Sequence, residues 1–570
     1  MRETRPSGAG SGYWPLLSRR KSTWRLRALL LLAGLAAAWL AAALGRSAEL
    51  ASARPSIVVI QTDDQTVRML HSSFVGPNGR KHRTMPNTIG LIADRGVEFT
   101  NYYSSIPVCS PSRSALLSGQ YGHTSGLIRN VGVLGGARGL STSPVWGRNL
   151  AVALKRAGYY TAHFGRLVNG YGNGEGYSDP KVPPGWSNWA TDWTPGIARR
   201  FYGYKLNVNG RIVGPIGKLR YQARRNKDPR SCPDGGLACS YHTDQITTRA
   251  LRVIRHAPRR PLYIQIDYEA PHGVADGNGV SEPASRHIGS AIRTPVPKPP
   301  GFNEFDVGDK PKALRAGSRK LTRAEITQLR ERWQNELESL RAVDESVGRV
   351  IRTLRRTGRL RNTYVFFVAD NGAFFGEHRY SRSKFLAYEP SANVPMMVRG
   401  PGVKRDRRSG AIVSNVDLAP TIADLANVRL MIPPDGRSMK RLFRYPRRIG
   451  RRAVILESYR LPSRALYSHL EDEGIPVPDD LGASASATVP AVNYTAIRAG
   501  RYKYIEYERG GRELYDLKLD PGEVSNRIHW RAYRRVARRF ERQIKWRRFC
   551  SGATCRKGTG RLPLPKLGRR

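Results

Sequence analysis

The hydrophobic positions of the chain fall into short, almost continuous apolar runs that are separated by amphipathic stretches. The clearest runs of strand length are Ser56–Gln61, Tyr159–Phe164, Pro261–Tyr268 and Tyr364–Ala369. These runs are apolar at successive positions rather than at alternate ones, which is typical of parallel strands buried on both faces of a sheet. Because helical patterns separate the runs, the sequence predicts an α/β fold with a mostly parallel sheet covered on both faces.

One helix and one loop are clearly marked between these strands. Thr322 and Glu325 form a capping box, apolar residues follow at helical spacing as far as Leu354, and Gly358 ends the pattern. This pattern predicts a long helix whose apolar side packs in the core. The segment Gly273–Lys320 is rich in Gly, Pro and Ser, and we expect it to form a loop over the functional site.

The pattern changes after about residue 445. Short aromatic runs predict a small antiparallel sheet, and these runs are Tyr494–Arg498, Tyr502–Tyr507 and Arg512–Leu517. A basic segment with Val536, Phe540 and Ile544 at helical spacing predicts a closing helix. We therefore expect a main α/β domain over residues 53–445, a small α+β domain over 446–549 and a basic tail over 550–570.

Residues 1–48 have the pattern of an export signal. Basic residues around Arg19, Arg20 and Lys21 precede an apolar run from Ala28 to Leu44. The run is at the lower length limit for crossing a bilayer, so a cleaved signal peptide and a signal anchor both remain open. We expect an exported protein that is extracellular or associated with the cell envelope.

The charge and the cysteines of the chain add two further expectations. The 570 residues include 96 Lys and Arg against 45 Asp and Glu, a formal net charge of +51. Such a field attracts polyanions or an anionic envelope surface, although arginines scattered over solvated faces give the same count. The pairs Cys232 with Cys239 and Cys550 with Cys555 could each close a local disulfide, which leaves Cys109 alone.

Two of the buried runs end in side chains that carry oxygen ligands. Asp63 and Asp64 follow the first run, and Asp370 and Asn371 follow the last. Ligands of open α/β sheets lie at the carboxyl ends of the strands, so we expect these four residues to meet there. Carboxylate and amide oxygens favour Ca²⁺ or Mg²⁺ over zinc. The sequence therefore predicts a site for a hard divalent cation.

The lone cysteine stands at a predicted helix start. Ser110 is a suitable N-cap, Pro111 suits the first helical position, and strong helix formers follow. Cys109 is therefore expected at a helix N-terminus, where partial positive charge favours a neighbouring anion. A structural cysteine before a capped helix is the plain alternative.

The run Cys109-Ser110-Pro111-Ser112-Arg113 resembles the C-x-P-S-R signature of the type I sulfatases. The resemblance extends from about Ser56 to Asn526 and is closest to arylsulfatases and N-acetylglucosamine-6-sulfatases. It implies an alkaline-phosphatase-like α/β/α sandwich and a sulfuric ester hydrolase. It also implies that a formylglycine-generating enzyme oxidises Cys109 to formylglycine, and that residues 53–445 are the catalytic domain.

The resemblance assigns roles to individual residues. It implies that Arg113 orients the modified residue, that His272 and Lys384 act on the sulfate and the leaving oxygen, and that Arg166 and His378 help to hold the substrate. The metal set that it implies is Asp63, Asp64, Cys109, Asp370 and Asn371. The chain departs from the family at Arg166, where a lysine is usual, and at Val168, where many members have a histidine.

Two other functions remain open on the sequence. A phosphonate or phosphate ester hydrolase would use the same aldehyde, and a polyanion-binding envelope protein would keep the fold without the oxidation. The substrate expected from the resemblance is an aryl sulfate or a sulfated sugar, with no specific nucleic acid partner. The high positive charge also suggests electrostatic association with an anionic envelope.

Overall fold

The computed structural model describes residues 54–172, 176–193, 201–216, 241–274, 279–315, 318–450, 452–460 and 489–565, together with Leu32. The chain divides into two compact units, Met1–Arg54 and Pro55–Arg570, and all the described strands lie in the second unit. The expected export signal and the pair Cys232 and Cys239 lie outside the described residues. In the part of the chain that is described, no helix combines the length and the apolarity needed to cross a bilayer.

The secondary structure alternates as the sequence predicts. The strands are, in chain order, β1 (Ser56–Thr62), β2 (Ser73–Val75), β3 (Lys81–Arg83), β4 (Val97–Tyr103), β5 (Tyr160–Gly165), β6 (Asn188–Asp192), β7 (Tyr204–Val208), β8 (Arg211–Ile216), β9 (Leu262–Asp267), β10 (Thr363–Ala369), β11 (Met396–Arg399), β12 (Arg407–Ser414), β13 (Ala453–Tyr459), β14 (Asn493–Ala499), β15 (Tyr502–Tyr507) and β16 (Arg512–Asp516). The α-helices are α1 (Val67–His71), α2 (Pro86–Thr88), α3 (Cys109–Ser118), α4 (Gly122–Ser125), α5 (Gly136–Thr142), α6 (Val145–Arg148), α7 (Leu150–Arg156), α8 (His242–His256), α9 (Lys312–Arg315), α10 (Arg323–Arg356), α11 (Glu389–Ala392), α12 (Leu418–Ala426), α13 (Lys440–Arg444) and α14 (Arg534–Arg547).

Within the described residues, ten strands form one mixed sheet in the order β12-β4-β11-β10-β1-β9-β5-β6-β7-β8. Its centre is parallel, because β10, β1, β9, β5 and β6 pair in the same direction. Strands β1 and β10 are in direct register, with Thr62 opposite Ala369. The residues that follow the two strands therefore emerge side by side.

Both faces of the sheet are covered, which explains why the strand sequences are apolar at successive positions. In β1, Val58 and Ile60 pack in the same cluster as Leu340 of α10. Ile57 and Val59 pack in a second cluster with Leu116 of α3 and residues of α7 and α12. The arrangement is an alkaline-phosphatase-like α/β/α sandwich, as the resemblance implies.

The long helix and the loop that precedes it follow the predicted positions. The side chain of Thr322 accepts a hydrogen bond from the Glu325 N–H, and Glu325 reciprocates at the N-cap, so the capping box is present. The segment between His272 and Thr322 contains only a 3₁₀ turn at Ser285–His287 and the short helix α9 in its described part.

A second, antiparallel sheet has the order β13-β14-β15-β16. The three predicted aromatic strands are present, whereas the sequence pattern does not predict β13 at Ala453–Tyr459. Helix α14 packs Val536, Phe540 and Ile544 against this sheet in one buried cluster with Tyr504. The predicted disulfide between Cys550 and Cys555 is confirmed, with the two sulfur atoms 1.99 Å apart. The domain boundaries at 445 and 549 stay a prediction.

Candidate active site

Cys109 is the first residue of α3 and is completely buried. Val108 before it is extended, so the helix begins at the cysteine and places its partial positive charge there. The expected N-cap at Ser110 is wrong, because the N-cap is Val108. The Ser110 hydroxyl instead donates to the carbonyl oxygen of Asn130 at 3.0 Å. Ser110 therefore fixes a neighbouring loop to the helix start.

The two acidic strand ends meet beside Cys109. Asp63 Oδ1 lies 3.5 Å from Cys109 Sγ, and the Asp64 N–H donates to Asp370 Oδ1 at 3.2 Å. The Asn371 amide donates to Asp64 Oδ1 at 2.5 Å. The direct register of β1 and β10 produces this meeting, because each strand delivers a pair of oxygen-bearing side chains to the same edge of the sheet.

The residues at this edge fit a hard divalent cation. The amide oxygen of Asn371 is buried and has no hydrogen-bond partner within the described residues. Burial and the neighbouring Asp63 raise the pKa of Asp370 to about 7. Ligand atoms of Asp63, Asp64, Cys109 and His272 lie within 4.8 Å of one another. A crowded set of oxygen donors with an unsatisfied amide oxygen is what Ca²⁺ or Mg²⁺ coordinates.

Arg113 holds the carboxylates of Asp63 and Asp370. It lies one turn beyond the cysteine on α3 and is 1% exposed. Its Nε donates to Asp370 Oδ2 at 2.9 Å and its Nη2 to Asp63 Oδ2 at 3.1 Å. The third bond runs from Nη1 to the carbonyl oxygen of Arg166 at 2.7 Å. Asp63 therefore directs one oxygen toward Arg113 and the other toward Cys109.

Arg166, directly after β5, contacts Asp63 and two residues that are not among the predicted site residues, Glu269 and Asn169. Its Nη1 donates to both carboxylate oxygens of Glu269, at 2.7 and 2.9 Å, and its Nη2 donates to Asn169 Oδ1 at 2.6 Å. Its Nε lies 3.2 Å from Asp63 Oδ2. Only a planar guanidinium group, with donors on three nitrogens, makes all of these contacts at once, which is a physical reason for arginine at this position.

Lys384 and His272 both contact Asp64 of the acidic cluster. Lys384 Nζ donates to Cys109 Sγ at 3.1 Å and also to Asp64 Oδ1. Burial alone would lower the pKa of Lys384, but the charges of Asp64, Cys109 and Asp63 raise it above its ordinary value. In His272, Nδ1 lies 2.6 Å from the Gly273 carbonyl oxygen and Nε2 lies 3.3 Å from Asp64 Oδ2.

The charges around Asp63 determine its protonation state. Burial would raise the pKa of Asp63, but the positive charges of Arg166, His272, Arg113 and Lys384 lower it well below its ordinary value. The carboxylate next to Cys109 is therefore ionised and available as a hydrogen-bond acceptor or ligand.

His378 lies farther from this cluster. Its Nδ1 is 2.6 Å from Glu304 Oε2, and its ring lies 4.2 Å from that of Tyr388. Within the described residues, neither of these two contacts involves Cys109 or a candidate metal ligand. Val168, at the position where the family often has histidine, packs in the same apolar cluster as Leu116 of α3.

Two further acids at the end of β9 belong to the site. Glu269 binds Arg166, and Asp267 lies 3.8 Å from Arg113 Nη1 and 3.1 Å from His163 Nε2. Asp267 ends β9 and Glu269 follows the predicted strand Pro261–Tyr268, so they lie at a strand end as Asp63 does. Asn169 and Asn130 carry no comparable signal.

The fold is of the alkaline-phosphatase-like class, and comparison with known families identifies the family within it. A sequence model of the sulfatase family matches residues 55–428, which carry α3, Cys109 and both oxygen-bearing strand ends. The chain therefore belongs to the sulfatase family.

Two relatives illustrate the range of the similarity. The chain is 30% identical over 402 residues to an extracellular sulfatase SULF-1 homolog of Drosophila melanogaster, a match that covers 68% of this chain and 31% of that protein. It is 26% identical over 522 residues to the N-acetylglucosamine-6-sulfatase of Homo sapiens, covering 88% and 86%. The chain thus spans about a third of the fly relative, and 51% of a similar Caenorhabditis elegans protein.

Solved structures share the fold. A protein in complex with its substrate D-glucosamine-2-N,6-O-disulfate has a TM-score of 0.65 and 22% identity, with 88% of this chain and all of that chain covered. A phosphonate monoester hydrolase of Agrobacterium radiobacter has a TM-score of 0.59 and 20% identity, with 86% and 95% covered. At these sequence identities the similarity shows a shared fold and nothing more.

Proposed function

We propose that this chain is a sulfuric ester hydrolase that removes sulfate from an aryl sulfate or a sulfated sugar. It would use a formylglycine hydrate made from Cys109 and a bound Ca²⁺, with Mg²⁺ as the alternative ion. The observation that carries the proposal is the burial of Cys109 at a helix start, with Asp63 Oδ1 3.5 Å and Lys384 Nζ 3.1 Å from its sulfur.

The modified residue and the ion would supply chemistry that no side chain offers. Of the two hydroxyls of a formylglycine hydrate, one takes the sulfuryl group and the other expels sulfate by returning to the aldehyde. A bound divalent ion favours the ionised nucleophile and offsets charge on the sulfate oxygens. The residues that would hold the ion are Asp63, Asp64, Asp370 and Asn371, together with residue 109.

The chain's own residues would position these groups and move protons. Cys109 Sγ marks where the hydrate oxygens lie, so Asp63 Oδ1 is placed to accept a proton from one of them. Lys384 Nζ is placed to donate to the same oxygens or to the sulfate. His272 Nε2 or Lys384 would then protonate the leaving oxygen, because both contact Asp64 beside Cys109.

Arg113 and Arg166 would act mainly by positioning. Arg113 donates one hydrogen bond each to Asp63 and Asp370 and a third to the Arg166 carbonyl oxygen, so the metal ligands would keep their orientation when the charge of the substrate changes. Arg166 adds positive charge next to Asp63, and we propose that it also attracts the sulfate. His378 would support the site through the Glu304 contact rather than at the reacting atoms.

The relatives' names favour a sulfated sugar as the substrate and export as the location. The similar human protein is named N-acetylglucosamine-6-sulfatase, and the fly relative is named an extracellular sulfatase homolog. A formylglycine-generating enzyme is the required partner. The net charge of +51 supports association with an anionic envelope surface.

The proposal is tested in two measurements on protein from the native host. Mass spectrometry of the peptide that contains Cys109 should show the aldehyde or its hydrate in place of the thiol. Hydrolysis of paired aryl sulfate and aryl phosphate esters should then favour the sulfate, and Cys109→Ala should abolish it. A thiol in every molecule would contradict the proposal.

A phosphonate or phosphate ester hydrolase is the second candidate, since the Agrobacterium enzyme has the same fold. Faster turnover of the aryl phosphate or phosphonate would establish it instead. An intact thiol combined with tight binding of sulfated polymer would establish the third candidate, a non-catalytic polyanion-binding envelope protein.

A further inference from the structure

A basic pocket lies near the start of strand β10, at the opposite end of the strands from Cys109. A pocket of about 580 Å³ is bordered by the end of α10, the 3₁₀ turn Arg359–Asn362 and the loop after β11. Arg399, at the end of β11, lies opposite Val365 near the start of β10. The metal-binding residues follow the other end of β10. At about 3.3 Å per residue, roughly 15–20 Å separates the two sites.

The pocket is lined by arginines from four separate segments. Arg95 precedes β4, Arg355 lies in the last turn of α10, Arg361 lies in the 3₁₀ turn, and Arg399 and Arg405 flank the loop after β11. Among the described residues, no acid lines the pocket. Each of the four segments therefore contributes at least one positive charge to the pocket lining.

The positive charges in this pocket repel one another. Burial lowers the pKa of Arg399, and the charges of Arg355, Arg95 and Arg405 lower it further. Arg399 Nη1 donates to the carbonyl oxygen of Leu91 at 2.6 Å, which holds the guanidinium in place. Like charges gathered around a concave surface focus a positive potential, and this potential is relieved when an anion binds.

We propose that the pocket bordered by Arg95, Arg355, Arg361, Arg399 and Arg405 binds an oxyanion, the sulfate or phosphate group of a ligand. Guanidinium groups match the geometry of such groups with paired hydrogen bonds. The site is separate from the catalytic centre and does not depend on the reaction proposed for Cys109.

The test removes two of the four exposed arginines of the pocket, Arg95 and Arg405. The double variant Arg95→Gln, Arg405→Gln lowers the charge by two, and Arg399 is kept because it holds the Leu91 carbonyl. The matched control, Arg535→Gln, Arg538→Gln, removes two charges from the exposed side of α14. Inorganic sulfate and inorganic phosphate are titrated at constant ionic strength, with calorimetry and the temperature of unfolding as readouts. A third arm uses vesicles that contain phosphatidylserine.

We expect the wild-type protein to bind sulfate or phosphate saturably. The pocket variant should lower the affinity about tenfold to a hundredfold, and the control variant should leave it unchanged. Both variants should hydrolyse an aryl sulfate at the wild-type rate, so any anion bound at the catalytic centre contributes equally to each titration. Preference for the free ions or for the vesicles distinguishes a soluble ligand from a lipid headgroup. Equal titrations for wild type and pocket variant, or an equal loss in the control, would overturn the proposal.

Discussion

The contact between Arg166 and Glu269 allows a quantitative test of how the site is held together. Two short hydrogen bonds join the guanidinium to the carboxylate, at 2.7 and 2.9 Å, and both side chains are less than a tenth exposed. A hydrogen bond between charged groups is worth about 1.5–3 kcal/mol, and breaking a buried pair costs about 3–5 kcal/mol. We therefore expect a double-mutant cycle of Arg166→Lys and Glu269→Gln to give a coupling energy of about 2–3 kcal/mol.

The assay measures the free energy of unfolding by denaturant titration for the wild type, the two single variants and the double variant. The values of kcat/KM on an aryl sulfate are measured in parallel. Because Glu269 holds Arg166 beside Asp63, Glu269→Gln should lower kcat/KM roughly tenfold to a hundredfold, equivalent to about 1.4–2.8 kcal/mol. Lysine should not restore the contacts, since a single ammonium cannot reach Glu269 and Asn169 together.

An exposed ion pair in the same chain provides the control. Arg286 and Asp244 are joined by 2.7 and 3.0 Å hydrogen bonds, but their side chains are 41% and 27% exposed. Solvent screening should reduce the coupling of Arg286→Lys with Asp244→Asn to below about 1 kcal/mol. A coupling energy below about 0.5 kcal/mol for Arg166 and Glu269 would refute the expected interaction, because independent sites add within that margin.

Three further predictions concern pH, metal and charge. Burial would lower the pKa of His123, but the neighbouring Glu457 raises it to about 9. The folded state therefore keeps a proton that the unfolded chain releases above about pH 6.5. The free energy of unfolding should fall by at most about 3 kcal/mol between about pH 6.5 and pH 9. Denaturant titrations at successive pH values measure this fall, and His123→Gln should flatten it. EDTA should abolish turnover and lower the temperature of unfolding, and added Ca²⁺ should restore both quantities. If EDTA changes neither quantity, the result would count against the metal site. Lys384→Met should lower kcat about a hundredfold to a thousandfold in steady-state assays while the fold is kept, as circular dichroism would show.

The apolar runs are sufficient to predict the centre of the sheet. Strands β1, β9 and β10 are buried on both faces, so their sequences are mostly apolar and their ends fall where the acids begin. Strands β11 and β12 are not predicted, because β11 has only four residues and β12 begins with exposed arginines. Their positions are fixed by pairing with distant strands, which a local pattern does not record.

Helix α8 and Glu269 show two other reasons for incomplete prediction. The buried face of α8 includes His242, Thr243 and Thr247, whose polar groups weaken the hydrophobic period. His242 pairs with Asp192, 2.6 Å away in the folded protein and distant in the sequence. Glu269 stands next to the predicted strand end, but its role depends on Arg166 from another strand. Roles that require a partner from a distant segment are not encoded in local spacing.

The separation of the site residues along the sequence sets an order of events during synthesis. Cys109 has no exposed surface in the folded protein, and Lys384, which contacts its sulfur, lies 275 residues later. At roughly 5–20 residues per second, a ribosome needs about 14–55 s to make that interval. Any enzyme that acts on Cys109 therefore has this interval before the site closes, and a chain that escapes the enzyme in this time folds around an unreacted thiol.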